Sequence, residues 1–161
     1  MCVYNNRCKY IIIAAALLLI LGSCSEFTIE KPEGFAEVVV DYYDRGEILF
    51  KAISPEGILF KVKKVENYPR MQLEFWAEAL SNQLQKEGYT LIGEEQHFKA
   101  VQNEGVYFKW GVPYGNDSYI YLTSLLIYDD IIIITEAAGE QSIFKDYEDT
   151  IILSMQSISY K

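Results

Sequence analysis

The sequence predicts an α+β domain, an antiparallel β-sheet with helices packed on both faces. Three observations lead there. Segments 119–128 (YIYLTSLLIY) and 131–135 (IIIIT) are apolar on both faces, and strands of that kind need cover on both sides. Segments 69–87 and 142–158 carry apolar residues at helical spacing. The links between strands are of hairpin length, which favours antiparallel pairing over a doubly wound parallel sheet.

Each element can be justified in order. Residues 36–43 (AEVVVDYY) are β-branched and aromatic, as strands are. Residues 48–65 hold two near-copies, ILFK and ILFK, around Ser54-Pro55-Glu56-Gly57. Pro followed two residues later by Gly signals a turn, so this is a hairpin. Ile58, Phe60 and Val62 alternate with Lys61 and Lys63, placing one face inward and one outward. In 69–87, Leu73, Trp76, Ala77, Leu80 and Leu84 form one apolar stripe, with Pro69 suited to the first turn and Gly88 to the position past the end. Residues 89–92 and 96–101 read as strands broken at Gly93, and Val106, Phe108 and Trp110 alternate with Tyr107 and Lys109 in another. Residues 113–118 (PYGNDS) read as a loop, and Asp129-Asp130 as a turn. Phe144, Tyr147, Ile151, Met155 and Ile158 supply the apolar stripe of the last helix.

The N-terminus is an address. Residues 1–10 contain Arg7 and Lys9 and no acid, and 11–21 are uninterrupted Ile, Ala and Leu. That is the layout of a signal peptide; a membrane-spanning helix needs about 20 apolar residues. Leu21-Gly22-Ser23-Cys24 then resembles the lipobox of bacterial lipoproteins, an aliphatic residue, two small ones and a cysteine. The resemblance implies cleavage between Ser23 and Cys24, and a Cys24 thiol carrying the diacylglyceryl group, with palmitate-type acyl chains. An ordinary signal peptide with an incidental Cys24, or a short buried helix, would use the same residues. The implied division is 1–23 signal peptide, 24–34 lipidated terminus and tether, and 35–161 a single domain. Ser25 rather than Asp after Cys24 favours the outer membrane, if the host has one, by resemblance to proteobacterial sorting.

The element order is also similar to that of the PsbP-like fold, shared by the PsbP photosystem subunit and DcrB-type lipoproteins. The likeness rests on the helix ending at Gly88-Tyr89 and on the Phe144, Tyr147, Ile151 helix. It implies an α/β/α sandwich over about 34–160 and carries no functional residue across.

Composition narrows the role. The net charge is −9, without the basic footprint that nucleic acid requires. Half the residues are hydrophobic, enough for a core. The cysteines are Cys2, Cys8 and Cys24, with no zinc or redox spacing, and there is no Gly-rich phosphate loop, so no cofactor is implied. His97, the single histidine, follows Glu94-Glu95; a metal there would need ligands from elsewhere. The acidic groups Asp41 with Asp44, Asp129-Asp130, and Asp146 with Glu148-Asp149 could do paired-carboxylate work only if held in one cleft, and nothing in the sequence places them there; turn chemistry explains Asp129-Asp130 and an exposed helix face the last group. Glu136 directly follows an apolar strand, and emergence at the sheet edge explains it. Tyr114, in the 113–118 loop, is the candidate for glycan or peptide contact. The reading is a lipid-anchored envelope module that binds or assembles with an envelope protein or glycan and is not an enzyme. The alternative is a small periplasmic hydrolase using carboxylates with His97 or Glu136.

Overall fold

The computed structural model describes residues 27–40, 47–114 and 117–161, with side chains described outside 113–117. The signal peptide, Leu21, Gly22, Ser23 and Cys24 lie outside the described residues, as do Asp41, Asp44 and the side chain of Tyr114. The elements are β1 (Phe27–Thr28), β2 (Ala36–Glu37), β3 (Ile48–Ile53), β4 (Leu59–Glu66), α1 (Leu73–Lys86), β5 (Thr90–Leu91), β6 (Gln96–Lys99), β7 (Glu104–Tyr114), β8 (Asp117–Tyr128), β9 (Ile131–Glu140), α2 (Gln141–Gln156) and β10 (Ser159–Tyr160).

The main sheet runs β2-β3-β4-β9-β8-β7-β5, with β6 also pairing β7, and the described pairings are antiparallel. The turns follow from local chemistry. Between β3 and β4, Gly57 takes a φ of +91°, and the Ser54 hydroxyl accepts from the Ile58 N–H at 3.1 Å. Between β8 and β9, Asp129 adopts a φ of +48°, a conformation that short polar side chains tolerate.

The two-faced burial expected of β8 and β9 is present. On one face Phe60, Val62, Leu122, Leu126 and Ile133 pack with Phe144, Ile151 and Met155 of α2. On the other, Val106, Phe108, Trp110, Leu125 and Ile132 pack with Ala77 and Leu84 of α1. The arrangement is the α+β sandwich of helix, antiparallel sheet and helix.

Three boundaries differ from the sequence reading. Helix α1 starts at Leu73 because residues 68–72 wrap around buried Asn67. The Asn67 Oδ1 accepts from the Met71 N–H at 3.1 Å and from Trp76 Nε1 at 2.7 Å, while its Nδ2 donates to the Asp129 carbonyl at 2.9 Å. The 113–118 loop is mostly strand, since β7 and β8 stay paired out to Tyr114 and Asp117. At the N-terminus, Phe27 pairs with Tyr160, and residues 30–33 are bonded along α2. The Glu30 N–H donates to Ser157 Oγ at 2.8 Å, Ser154 Oγ donates to the Glu30 carbonyl at 2.6 Å, and the Glu33 N–H donates to Thr150 Oγ1 at 2.8 Å. Much of the segment read as a tether is therefore fastened to the domain.

Candidate functional site

Helix α1 covers only part of its face of the sheet, and the uncovered part is where polar chemistry collects. The register aligns one row across the strands: Lys51 opposite Lys61, Lys61 opposite Glu136, and Glu136 opposite Thr123. Partners in register point to the same face. A parallel row holds Leu59, Ala138, Tyr121 and Trp110.

The end of α1 builds one wall. Gly88 sits at a φ of +93°, which only glycine adopts readily. The Gly88 N–H bonds the Gln85 carbonyl at 3.1 Å and the Tyr89 N–H the Leu84 carbonyl at 3.0 Å. These are the paired bonds of a Schellman cap. The cap turns the chain back over the sheet, and Tyr89 lies against Tyr121 with ring centroids 5.6 Å apart. The result is an open cleft of about 540 Å³, lined by Leu59, Val112, Tyr119 and Ala138, with Tyr89 beside it and Lys61 and Glu136 on its floor.

Glu136 is the hub. Its Oε2 contacts Lys61 Nζ at 2.5 Å, its Oε1 contacts Lys63 Nζ at 2.8 Å, and the Tyr121 hydroxyl donates to Oε1 at 2.9 Å. Burial acts to raise the carboxyl's pKa, but the hydrogen bonds from Lys61, Lys63 and Tyr121 outweigh it and hold the group below its ordinary value. Burial, then the Glu136 charge beside it, pushes the Tyr121 phenol well up, so it remains a donor.

This arrangement corrects the expectation that Glu136 emerges at a sheet edge. Strand β9 continues through it to Glu140 and lies in the middle of the sheet. The arrangement also bears on the hydrolase alternative. Among the described side chains, Glu136 is the one carboxylate lining the cleft. Ionised and engaged by three donors, it is poorly suited to the proton-transfer work of a paired-carboxylate mechanism. His97 does not join it. It sits exposed on β6 with Nε2 3.4 Å from Glu95 Oε1, and no three His, Cys, Asp or Glu side chains converge as a metal set among the described residues.

Two of the remaining acids have ion-pair partners close by. Asp130 accepts from Arg70 Nε at 3.0 Å, and Glu148 pairs with Lys109 at 2.7 Å. Asp146 and Asp149 are exposed on α2. Of the sequence-chosen residues whose side chains are described, Glu136 is the one in this cleft; Asp129 and Asp130 line a separate hollow beside Tyr160, and Glu148 another beside Lys109. No local pattern in the sequence marks Lys61, Lys63, Tyr89 or Tyr121 as site residues. The alternation in 58–63 did place both lysines on one face, but their partner lies on a strand 73 residues away from Lys63.

With this geometry in hand, comparison with known proteins defines the fold. No protein-family model and no curated protein sequence matches the chain. Among solved structures, LpqN of Mycobacterium tuberculosis, involved in cell envelope biogenesis, superposes with a TM-score of 0.64 at 8% identity, over 86% of this chain and 87% of that one. The cyanobacterial PsbP of Synechocystis superposes with a TM-score of 0.58 at 11% identity, over 88% and 99%. A Pseudomonas aeruginosa protein of unknown function, PA94, gives 0.56 at 12% identity, over 85% and 99%. The chain is similar to these in fold, as the PsbP-like resemblance in the sequence implies. Among the described residues, no helix is long and apolar enough to cross a membrane.

Proposed function

We propose that this chain is an extracytoplasmic lipoprotein of the bacterial envelope, anchored through Cys24, whose domain works by binding rather than catalysis. The observation that carries the binding reading is the cleft itself. Its walls are apolar and aromatic, its one carboxylate is already engaged by Lys61, Lys63 and Tyr121, and the described lining holds no second acid for hydrolysis. Pockets of this size and character are the usual form of small-ligand sites.

The N-terminal lipobox supports the anchor, and the likeness in fold to an envelope-biogenesis protein is consistent with the setting. Each buried CH2 of an acyl chain contributes about 0.8 kcal/mol, so two or three chains on one sulfur hold the protein firmly. Because pairing begins at Phe27, the stretch from Cys24 spans at most about 10 Å, which would keep the domain close to the bilayer.

The test is photo-crosslinking from Tyr119, in native membranes, with a position on the exposed face of α2, such as Leu153, as control. Capture of a discrete ligand or partner from Tyr119 supports the reading. Capture from Leu153 alone would show that the cleft is not the working surface.

A further inference from the structure

The binding reading leaves the occupant of the cleft open, and the charge on its floor narrows the choice. The chain as a whole is acidic, with a net charge of −9. Against that background Lys51, Lys61 and Lys63 gather on neighbouring strands, with Lys51 in register with Lys61. The carboxylates nearby, among the described side chains, are Glu136, in contact with two of these lysines, Glu87 at the end of α1, whose charge reaches Tyr121, and Glu140, in register with Tyr119 and bonded by Ser142 Oγ. Glu140 lies four residues further along β9, roughly 13 Å in an extended strand, so on the floor itself the two ammonium groups of Lys61 and Lys63 share the single carboxylate of Glu136 beside an apolar hollow.

The donors are also available. An ammonium has three N–H groups, and Glu136 engages one oxygen with each lysine. The Lys61 and Lys63 side chains remain 28% and 29% exposed, so a second acceptor can reach them. A bare inorganic anion would leave Leu59, Val112 and Ala138 uncovered, and a neutral apolar molecule would leave the charge unanswered. Only a molecule with both parts satisfies both surfaces.

We infer that the cleft binds a small amphiphilic anion, its apolar tail against Leu59, Val112, Tyr119 and Ala138, and its single carboxylate or phosphate head on Lys61 and Lys63. This rests on the binding reading above and names the ligand class for the same cleft. Glu136 then acts as the internal counter-ion that holds the two lysines in place and competes with the ligand head for them.

The experiment uses the full chain in lipid nanodiscs and a photoreactive decanoate, with labelled residues mapped by mass spectrometry. Decanoate, decyl phosphate and decanol are the competitors. The label should fall on Val112, Tyr119 or Tyr89. Decanoate or decyl phosphate should compete at least about tenfold better than decanol, the range that charge-assisted hydrogen bonds supply. Whichever of the two anions competes better identifies the head group.

The Lys61→Gln/Lys63→Gln double variant should lose that preference, and Glu136→Gln should strengthen labelling by a few fold. Should the double variant not fold, the comparison of decanoate with decanol on the unaltered chain still decides. Equal competition by decanol, or labelling spread outside the cleft, overturns the inference. If the probe fails while Tyr119 crosslinks to a protein segment, the amphiphile is wrong and the binding reading stands. If neither captures anything, both fall.

Discussion

Replacing Glu136 by Gln tests the hub of the cleft directly. The side chain is 15% exposed and accepts from Lys61, Lys63 and Tyr121. Hydrogen bonds to charged groups contribute about 1.5–3 kcal/mol each in net terms. Two opposing effects reduce the sum. Glutamine keeps one acceptor oxygen, and both half-exposed lysines can swing toward water. The surviving cost is that of two ammonium groups left on one face without their counter-charge, and we set it at about 2 kcal/mol at neutral pH, below the 3–5 kcal/mol of a fully buried broken pair. For a chain of this length that corresponds to a fall of about 4–8 °C in Tm.

The pH dependence sharpens the test. Glu136 ionises below its ordinary value of 4.5 in the folded chain, so its contribution is fully present above that value. It is lost as pH falls through the lower, folded-state value, when the carboxyl takes up a proton. Urea denaturation of both proteins should therefore give a gap of about 2 kcal/mol at neutral pH that narrows as the pH is taken below the ordinary carboxylate value. A gap absent at neutral pH, or one that persists undiminished in acid, would refute the claim that an ionised Glu136 holds Lys61 and Lys63.

Other outcomes follow from the packing and the N-terminus. Trp110→Phe leaves the buried Thr123 hydroxyl without the indole N–H that now meets it at 3.0 Å, and should cost about 2–4 kcal/mol in denaturation. Adding Thr123→Val should recover about 1 kcal/mol of that, because both polar partners are then gone. Gly139→Ala places a Cβ 2.1 Å from Ile58 Cδ1 in a fully buried setting and should destabilise by about 1–3 kcal/mol, with Ile58→Val, which removes that carbon, restoring part. Cys24→Ala should abolish metabolic labelling with a radioactive fatty acid and leave unprocessed precursor on a gel; normal maturation in that variant would end the lipoprotein proposal.

Much of the architecture was legible because it is written in local pattern. The stripe of Leu73, Trp76, Ala77, Leu80 and Leu84 repeats at the helical period and does bury against the sheet. The 54–57 turn announces itself through Pro55 and Gly57, and β3 and β4 flank it as the hairpin reading requires. Strands β8 and β9, apolar on both sides, demanded two covering layers and have them. What was not legible depends on contacts between distant residues. Asn67 holds residues 68–72 out of the helix through bonds to Met71, Trp76 and Asp129, and no window of sequence around Pro69 shows those partners. Nor does the 25–34 stretch, with Pro32 and Gly34, reveal that Ser154 and Ser157 will take hold of Glu30.

The candidate site divides in the same way. By itself the sequence determined that Lys61 and Lys63 share a face and that an acid occurs at Glu136, because side chains alternate along a strand whatever the strand is paired with. Only the tertiary structure decided that β4 lies beside β9 in the register that sets Lys61 opposite Glu136, and that the end of α1 leaves this part of the sheet uncovered. Register across a sheet is set by the burial of whole faces and by which strands become neighbours. A charge at one position therefore carries no local mark of the partner it will meet.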